Sequence, residues 1–259
     1  MLVAVACFLQ LALIPTWLMP QDASAHGPAL DRLMGLNVWL ALALFTLLHL
    51  LLFIALLFKR PKQPRTSSRA KLLVEYLPIL ALALLFTYLT VRAEHLWAAS
   101  RYVGPNAAAL QMEVVGVQFA WYFRYPGQDA AFGRTRSELI APGEGNPLGL
   151  DPADPSGKDD FVSSELVLPA GREVDLRLHA QDVIHGFSVP AMRIKQNAVP
   201  GQNLHIHFTP TRPGTYAILC TQVCGLGHFR MTANLRVVSP AEYAAWLDRK
   251  EAAHEAANR

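Results

Sequence analysis

The sequence predicts a membrane-anchored α+β protein, two transmembrane helices forming a helical hairpin followed by a small Greek-key β-barrel or sandwich. Three observations carry this reading. Of 259 residues, 52% are hydrophobic, too many for an ordinary soluble domain, and they concentrate in the first 92 positions. Two apolar runs, residues 33–58 and 72–91, are each long enough to cross a hydrocarbon core of about 30 Å. Beyond residue 110 the pattern changes to short β-branched and aromatic runs separated by Pro and Gly.

Taken in order, residues 1–19 are apolar with Pro15 inside, followed by Asp22-Ala23-Ser24-Ala25-His26. Ala23-Ser24-Ala25 fits a small-residue signal-peptidase site, so residues 1–25 read as either a signal peptide or an extra anchor. Cys7 reads as a buried apolar thiol rather than a lipid-attachment site, because Ala4, Val5 and Ala6 match the latter poorly. Residues 33–58 contain no Asp, Glu, Lys or Arg and suit a tilted span; His49 in its middle is read as hydrogen-bonding toward a neighbouring subunit. The second span carries Glu75 near its start and Pro78 in its first two turns. Between the spans, Lys59, Arg60, Lys62, Arg65, Arg69 and Lys71 mark a cytoplasmic loop. Two crossings return the chain to its starting side, so everything from about residue 93 is extracytoplasmic.

The net charge of +3 says nothing of nucleic acid. From residue 93 onward there are 15 basic and 17 acidic residues, 15 − 17 = −2, so the basic character belongs to the loop.

Residues 94–111 read as a short helix and linker. Residues 112–125 are dense in β-branched and aromatic side chains, with a turn at Pro126-Gly127, and residues 128–160 read as a long surface loop. Strand-like runs follow at 165–168, 173–179, 183–189, 203–208, 215–219 and 232–238, as in a small sandwich. His205 and His207 share a strand face and are expected to point to solvent. Residues 240–257 form a polar helix capped by Ser239 and expected to be a surface appendage.

The chemistry concentrates in Cys220-Thr-Gln-Val-Cys224-Gly-Leu-Gly-His228-Phe-Arg-Met231. Thiolates, imidazole and thioether together select soft metals, and a Met beside Cys and His points to electron-transfer copper. Two Cys four apart could bridge a pair of coppers; His228 then serves one metal and His185, in residues 182–190, is the best candidate for the other. A disulfide or a structural zinc also fits the Cys spacing, but neither uses the thioether of Met231. Three Cys in all leave no disulfide framework. No general base, nucleophile or phosphate-binding loop stands out, so the chain reads as a conductor of electrons.

This loop and residues 182–190 resemble the binuclear CuA site of cytochrome c oxidase subunit II, and the resemblance covers roughly residues 33–240. It implies a cupredoxin-like extramembrane domain over residues 93–240, with 241–259 as the C-terminal helix. Cys220 and Cys224 match the bridging thiolates, His185 and His228 the terminal imidazoles, Met231 one axial ligand and the backbone carbonyl of Gln222 the other. The exposed electron-accepting Trp of the family is Phe119 here, and Trp121 matches its second Trp. The resemblance further implies two copper ions, haem–copper oxidase subunit I and further subunits as partners, cytochrome c or a similar donor, no nucleic acid, and an inner (plasma) membrane location with the domain on the periplasmic side. Lys71 stands where the family has a proton-channel glutamate, with Glu75 one turn on. Gln222 and Asn197 replace two acidic residues, so magnesium at the subunit interface is expected to be absent or rebuilt. Arg124 stands where an acidic residue is usual, and weak steering of a cationic donor is expected. Two other functions fit: the CuA subunit of a nitric oxide reductase of the same superfamily, and a membrane-anchored copper-binding or delivery protein. The full set of six ligand positions weighs against the carrier.

Overall fold

The computed structural model describes residues 19–58 and 67–257. The leader reading of residues 1–18, Cys7 included, and the basic residues Lys59, Arg60, Lys62 and Arg65 lie outside these. The chain divides into two units, residues 29–99 and the rest.

Helix α1 spans Gly27–Leu57 and α2 spans Ser68–Arg101. Both overrun the expected spans. The short helix expected after residue 93 is the end of α2, because no Gly or Pro occurs between Pro78 and Gly104-Pro105. At the other end of α2, the Ser67 hydroxyl accepts the Ala70 N–H at 3.2 Å. Apolar side chains project all round: Phe45, Leu56 and Phe86 are 61%, 76% and 71% exposed. Helices of this kind need an apolar surrounding, and each has a 31-residue stretch long and apolar enough to cross a membrane. His49 makes a hydrogen bond within its own helix: its Nδ1–H donates to Phe45 O at 2.8 Å, so that polar atom is satisfied locally.

The second unit is a β-sandwich, as expected. Its strands are β1 (Leu110–Val117), β2 (Ala120–Tyr125), β3 (Phe161–Ser163), β4 (Glu165–Pro169), β5 (Val174–Ala180), β6 (His185–Val189), β7 (Ile194–Ala198), β8 (Leu204–Phe208), β9 (Gly214–Cys220) and β10 (Thr232–Val238). They form two five-stranded sheets, ordered β3-β2-β1-β5-β8 and β4-β10-β9-β6-β7. The β1–β5 and β4–β10 pairs are parallel and the other neighbours antiparallel. Phe123, Leu176, Phe187, Ile206, Ile218 and Leu235 are fully buried in the core, each contributing about 1.5–3 kcal/mol. The aromatic run is a hairpin: β1 and β2 fold back at Gln118-Phe119.

Three surface expectations change. Helix α3 (Pro240–Ala257) has the expected cap, Ser239 and Glu242 exchanging hydrogen bonds, yet it is no appendage. Tyr243 and Trp246, three apart on one helix face, are buried, and the Trp246 ring lies 5.0 Å from Tyr125 and 6.0 Å from Phe161. His205 stays partly exposed beside Asp175 at 2.9 Å, whereas His207 is buried, with His26 close enough to act on it electrostatically. Arg124 is no surface residue either, being 2% exposed. Its guanidinium donates to Glu113 at 3.0 Å, to Asp160, and to Gly133 O at 2.5 Å, tying the long loop to β1 and β2.

Candidate metal centre

The ligand loop is a strand connection. Strand β6 opens on His185 and β9 closes on Cys220, and the two strands are neighbours, Phe187 pairing with Cys220. Residues 221–231 lead from β9 to β10. The Cys220 N–H donates to Met231 O at 3.1 Å and the Thr221 N–H to Gly186 O at 2.8 Å, so the loop's neck is closed and tied to β6. Glycine is needed at 186: a Cβ there would lie 2.5 Å from Thr221 Oγ1 and 2.8 Å from the Gln222 nitrogen.

This framework brings the predicted donors together. Cys220 Sγ lies 3.8 Å from Cys224 Sγ and 3.2 Å from Gln222 O. Cys224 Sγ lies 3.7 Å from His228 Nδ1 and 3.8 Å from Met231 Sδ. The donor atoms of His185, Cys220 and Cys224 all fall within 4.8 Å of one another. Both thiols are free, so the pair is not bridged as a disulfide.

The donor set fits a soft metal on an observation of its own. His185 is fully buried, its Nε2–H donates to Asp182 Oδ1 at 2.8 Å, and its Nδ1 has no partner among the described residues. A buried nitrogen left bare costs about 1–3 kcal/mol; the ring lies beside both thiols, where a metal would use that lone pair. Burial, with Cys220 adding to it, pushes the Cys224 thiol up to about 11. A bound cation is what such a site needs to hold thiolate at neutral pH.

Two residues around the site escaped the sequence reading. Asp182 accepts from His185 and, at 2.7 Å, from both the Gln118 and the Val183 N–H. Burial alone would raise its carboxyl, but these hydrogen bonds outweigh it and hold it below the usual range. Gln118 Nε2 donates to Cys224 O at 2.6 Å, so the β1–β2 turn grips both ligand segments. Their signal was slight, an Asp three residues before a candidate His and a Gln beside an aromatic.

The two candidate electron-entry residues are placed differently. Phe119 is 39% exposed and its ring lies against Gly225 and Gly227 of the loop. Trp121 is 2% exposed and packs inside, its ring 5.8 Å from His185 and 5.4 Å from Phe187. Around Phe119 the loop shows an apolar face, with Val223, Leu226 and Phe229 largely exposed. Gln222 is exposed, and Asn197 lies on β7 opposite Gly186.

A β-sandwich presenting paired thiols, imidazoles and a thioether beside one inter-strand loop, on a two-helix anchor, is a metal-binding domain of the cupredoxin-like class. Residues 110–238 match the family model for the periplasmic domain of cytochrome c oxidase subunit II, and this domain belongs to that family. The chain is 38% identical over 153 residues to the alternative cytochrome c oxidase subunit 2 of Bradyrhizobium diazoefficiens, covering 58% of this chain and 54% of that protein. It thus spans about half the length of that relative. A probable cytochrome c oxidase subunit 2 of Streptomyces avermitilis is 29% identical over 252 residues, 88% of this chain and 77% of that protein. Among solved structures, the periplasmic domain of subunit II of cytochrome oxidase of Bradyrhizobium japonicum aligns over 56% of this chain and 94% of its own, at 24% identity and a TM-score of 0.40.

Proposed function

We propose that this chain is the electron-transfer subunit of a haem–copper terminal oxidase, an oxidoreductase whose oxygen chemistry lies in another subunit. In this reading it takes electrons from cytochrome c or a similar donor on the periplasmic side and passes them to haem in subunit I. Helices α1 and α2 anchor it in the inner (plasma) membrane. The observation that carries the reading is the convergence of two free thiols, two imidazoles, a thioether and the Gln222 carbonyl beside one loop neck. Two copper ions held there would supply a one-electron redox site.

The protein's part is to hold these donors still. Cys220 and Cys224 would hold the metal through their thiolates, His185 and His228 through their imidazoles, and Met231 and the Gln222 carbonyl would complete the donor set. Asp182 keeps the proton on His185 Nε2, leaving Nδ1 for the metal. The paired strands fix both ends of the ligand loop, so the ligands rearrange little between oxidation states. Phe119 offers the donor an aromatic surface directly on the loop.

Copper analysis of the purified full chain tests this. Two coppers per chain are expected, with a spectroscopic signal shared between them. Cys220→Ser or Cys224→Ser should abolish the pair, because a bridging thiolate has no substitute; Met231→Leu should retain copper and raise its reduction potential. One metal per chain, or retention of both in Cys224→Ser, would overturn the assignment.

A further inference from the structure

We propose that residues 20–27 are a permanent strap of the folded β domain, retained in the mature chain, and that the Ala25–His26 bond is not a processing site. Ala23-Ser24-Ala25 has the small residues that a signal peptidase accepts. In the fold, however, this segment is laid onto the sandwich like a short extra strand. The Ala23 N–H donates to Ala191 O at 2.8 Å, the Thr211 N–H to Ala23 O at 2.7 Å, and the Ala25 N–H to Thr209 O at 3.0 Å. Ser24 forms an antiparallel bridge with Pro210. Ala23 and Ser24 are 1% and 2% exposed. The Ser24 hydroxyl donates to Asp22 Oδ1 at 3.2 Å and accepts the Gly27 N–H at 3.1 Å, holding the strap's own turn. Further out, Arg193 Nη2 donates to Pro20 O at 2.9 Å.

A cut after Ala25 would remove the partners of the Ala191 and Thr209 carbonyls and of the Thr211 N–H together. Native folds avoid stripping backbone groups in this way. The strap also bears on the metal centre. Ala191 and Arg193 lie in the turn joining β6 to β7, so the strap braces the hairpin that begins with His185. Removal of the apolar leader, where it happens, therefore cuts upstream of Pro20.

Intact mass measurement and N-terminal sequencing of the full chain, expressed in its membrane and purified, test this. Wild type and Ala25→Arg should share one N-terminus, at or before Pro20. Ala25 is exposed, so arginine is accommodated there, yet it removes the small residue that a cut at Ala25–His26 requires. A mature chain beginning at His26, or an Ala25→Arg chain heavier than wild type by the length of the leader, would overturn the proposal. Ala23→Asp, a charge at a buried strap position, should lower Tm by about 5 °C or more, or prevent folding, while Ala25→Asp leaves Tm unchanged. Equal Tm for the two would count against the strap.

Discussion

Asp182 Oδ1 lies 2.8 Å from His185 Nε2, while the ring's other nitrogen has no partner among the described residues. The carboxylate fixes which nitrogen carries the proton and therefore which nitrogen would be left to bind a metal. Asp182→Ala should weaken copper binding about 10- to 100-fold and shift the spectrum of the site, with Asp182→Asn intermediate. Competition titration against a chelator of known affinity reads the change, and unchanged affinity in Asp182→Ala would remove Asp182 from the site.

The Phe119 ring occupies the space that a side chain at Gly227 would need. Gly227→Ala must therefore displace the ring or the loop, at about 1–3 kcal/mol of overpacking. Phe119→Ala in the same chain should recover most of that loss. Denaturation midpoints of the two single variants and the double variant decide it, since additive effects would mean that the ring and the loop are independent.

Donor association should respond little to salt. Arg124 is buried and adds no surface charge, and beside Phe119 the ligand loop exposes Val223, Leu226 and Phe229, with Arg230 its one cation. Long-range steering is then weak, and raising ionic strength through several Debye lengths should change the association rate with cytochrome c less than about threefold. Arg124→Leu should leave that rate alone yet destabilise the fold by about 3–5 kcal/mol, because Glu113 and Asp160 lose their buried partner. A steep fall of rate with salt would contradict the first half, and an unchanged Tm the second.

Burial depresses His179, outweighing the Glu113 carboxylate that favours its charged form; Arg124 and Arg177 act in the same direction as burial. A histidine held below its unfolded value of 6.5 favours the fold while neutral. Its contribution is complete above that value and is lost as pH falls toward and through the depressed folded value. Between pH 7 and pH 5, Tm should drop more steeply in wild type than in His179→Gln. Parallel Tm profiles would show that the imidazole plays no part.

At Gln222 the carbonyl points at Cys220 while the side chain is exposed. Gln222→Glu should leave the copper spectrum intact and create manganese binding in the assembled complex, because a carboxylate is a far better ligand for a hard dication than an amide. Tightly held magnesium or manganese in the wild-type complex, lost in Gln222→Ala, would refute the expectation that this cation is absent.

The residues whose clustering was readable in advance are those whose chemistry is unusual in itself. Cys220, Cys224, His228 and Met231 crowd one short loop, and His185 was singled out 35 residues upstream; the structure brings all five together. The helices were legible because 26 residues without charge admit few other readings. Strand β7 was not, since Lys195, Gln196 and Asn197 lack any apolar alternation and pair only because β6 needs a neighbour. Asp182 and Gln118 escaped because a lone Asp or Gln acquires meaning only from what lies across the fold. Arg124 was misread for the same reason: its two acids are 11 and 36 residues away, and only the folded chain turns an apparent surface charge into an internal lock.

The candidate metal centre has a sealed back and an open front. His185, Cys224 and Met231 are buried, whereas Cys220 and His228 are partly exposed and Gln222 lies at the surface. The back is closed by the Trp121 and Phe187 rings, and the β1–β2 turn clasps the Cys224 carbonyl. An ion approaching from solvent would thus meet Cys220 and His228 before the inner donors. Filling of such a site would therefore proceed from one side, past the partly exposed Cys220 and His228.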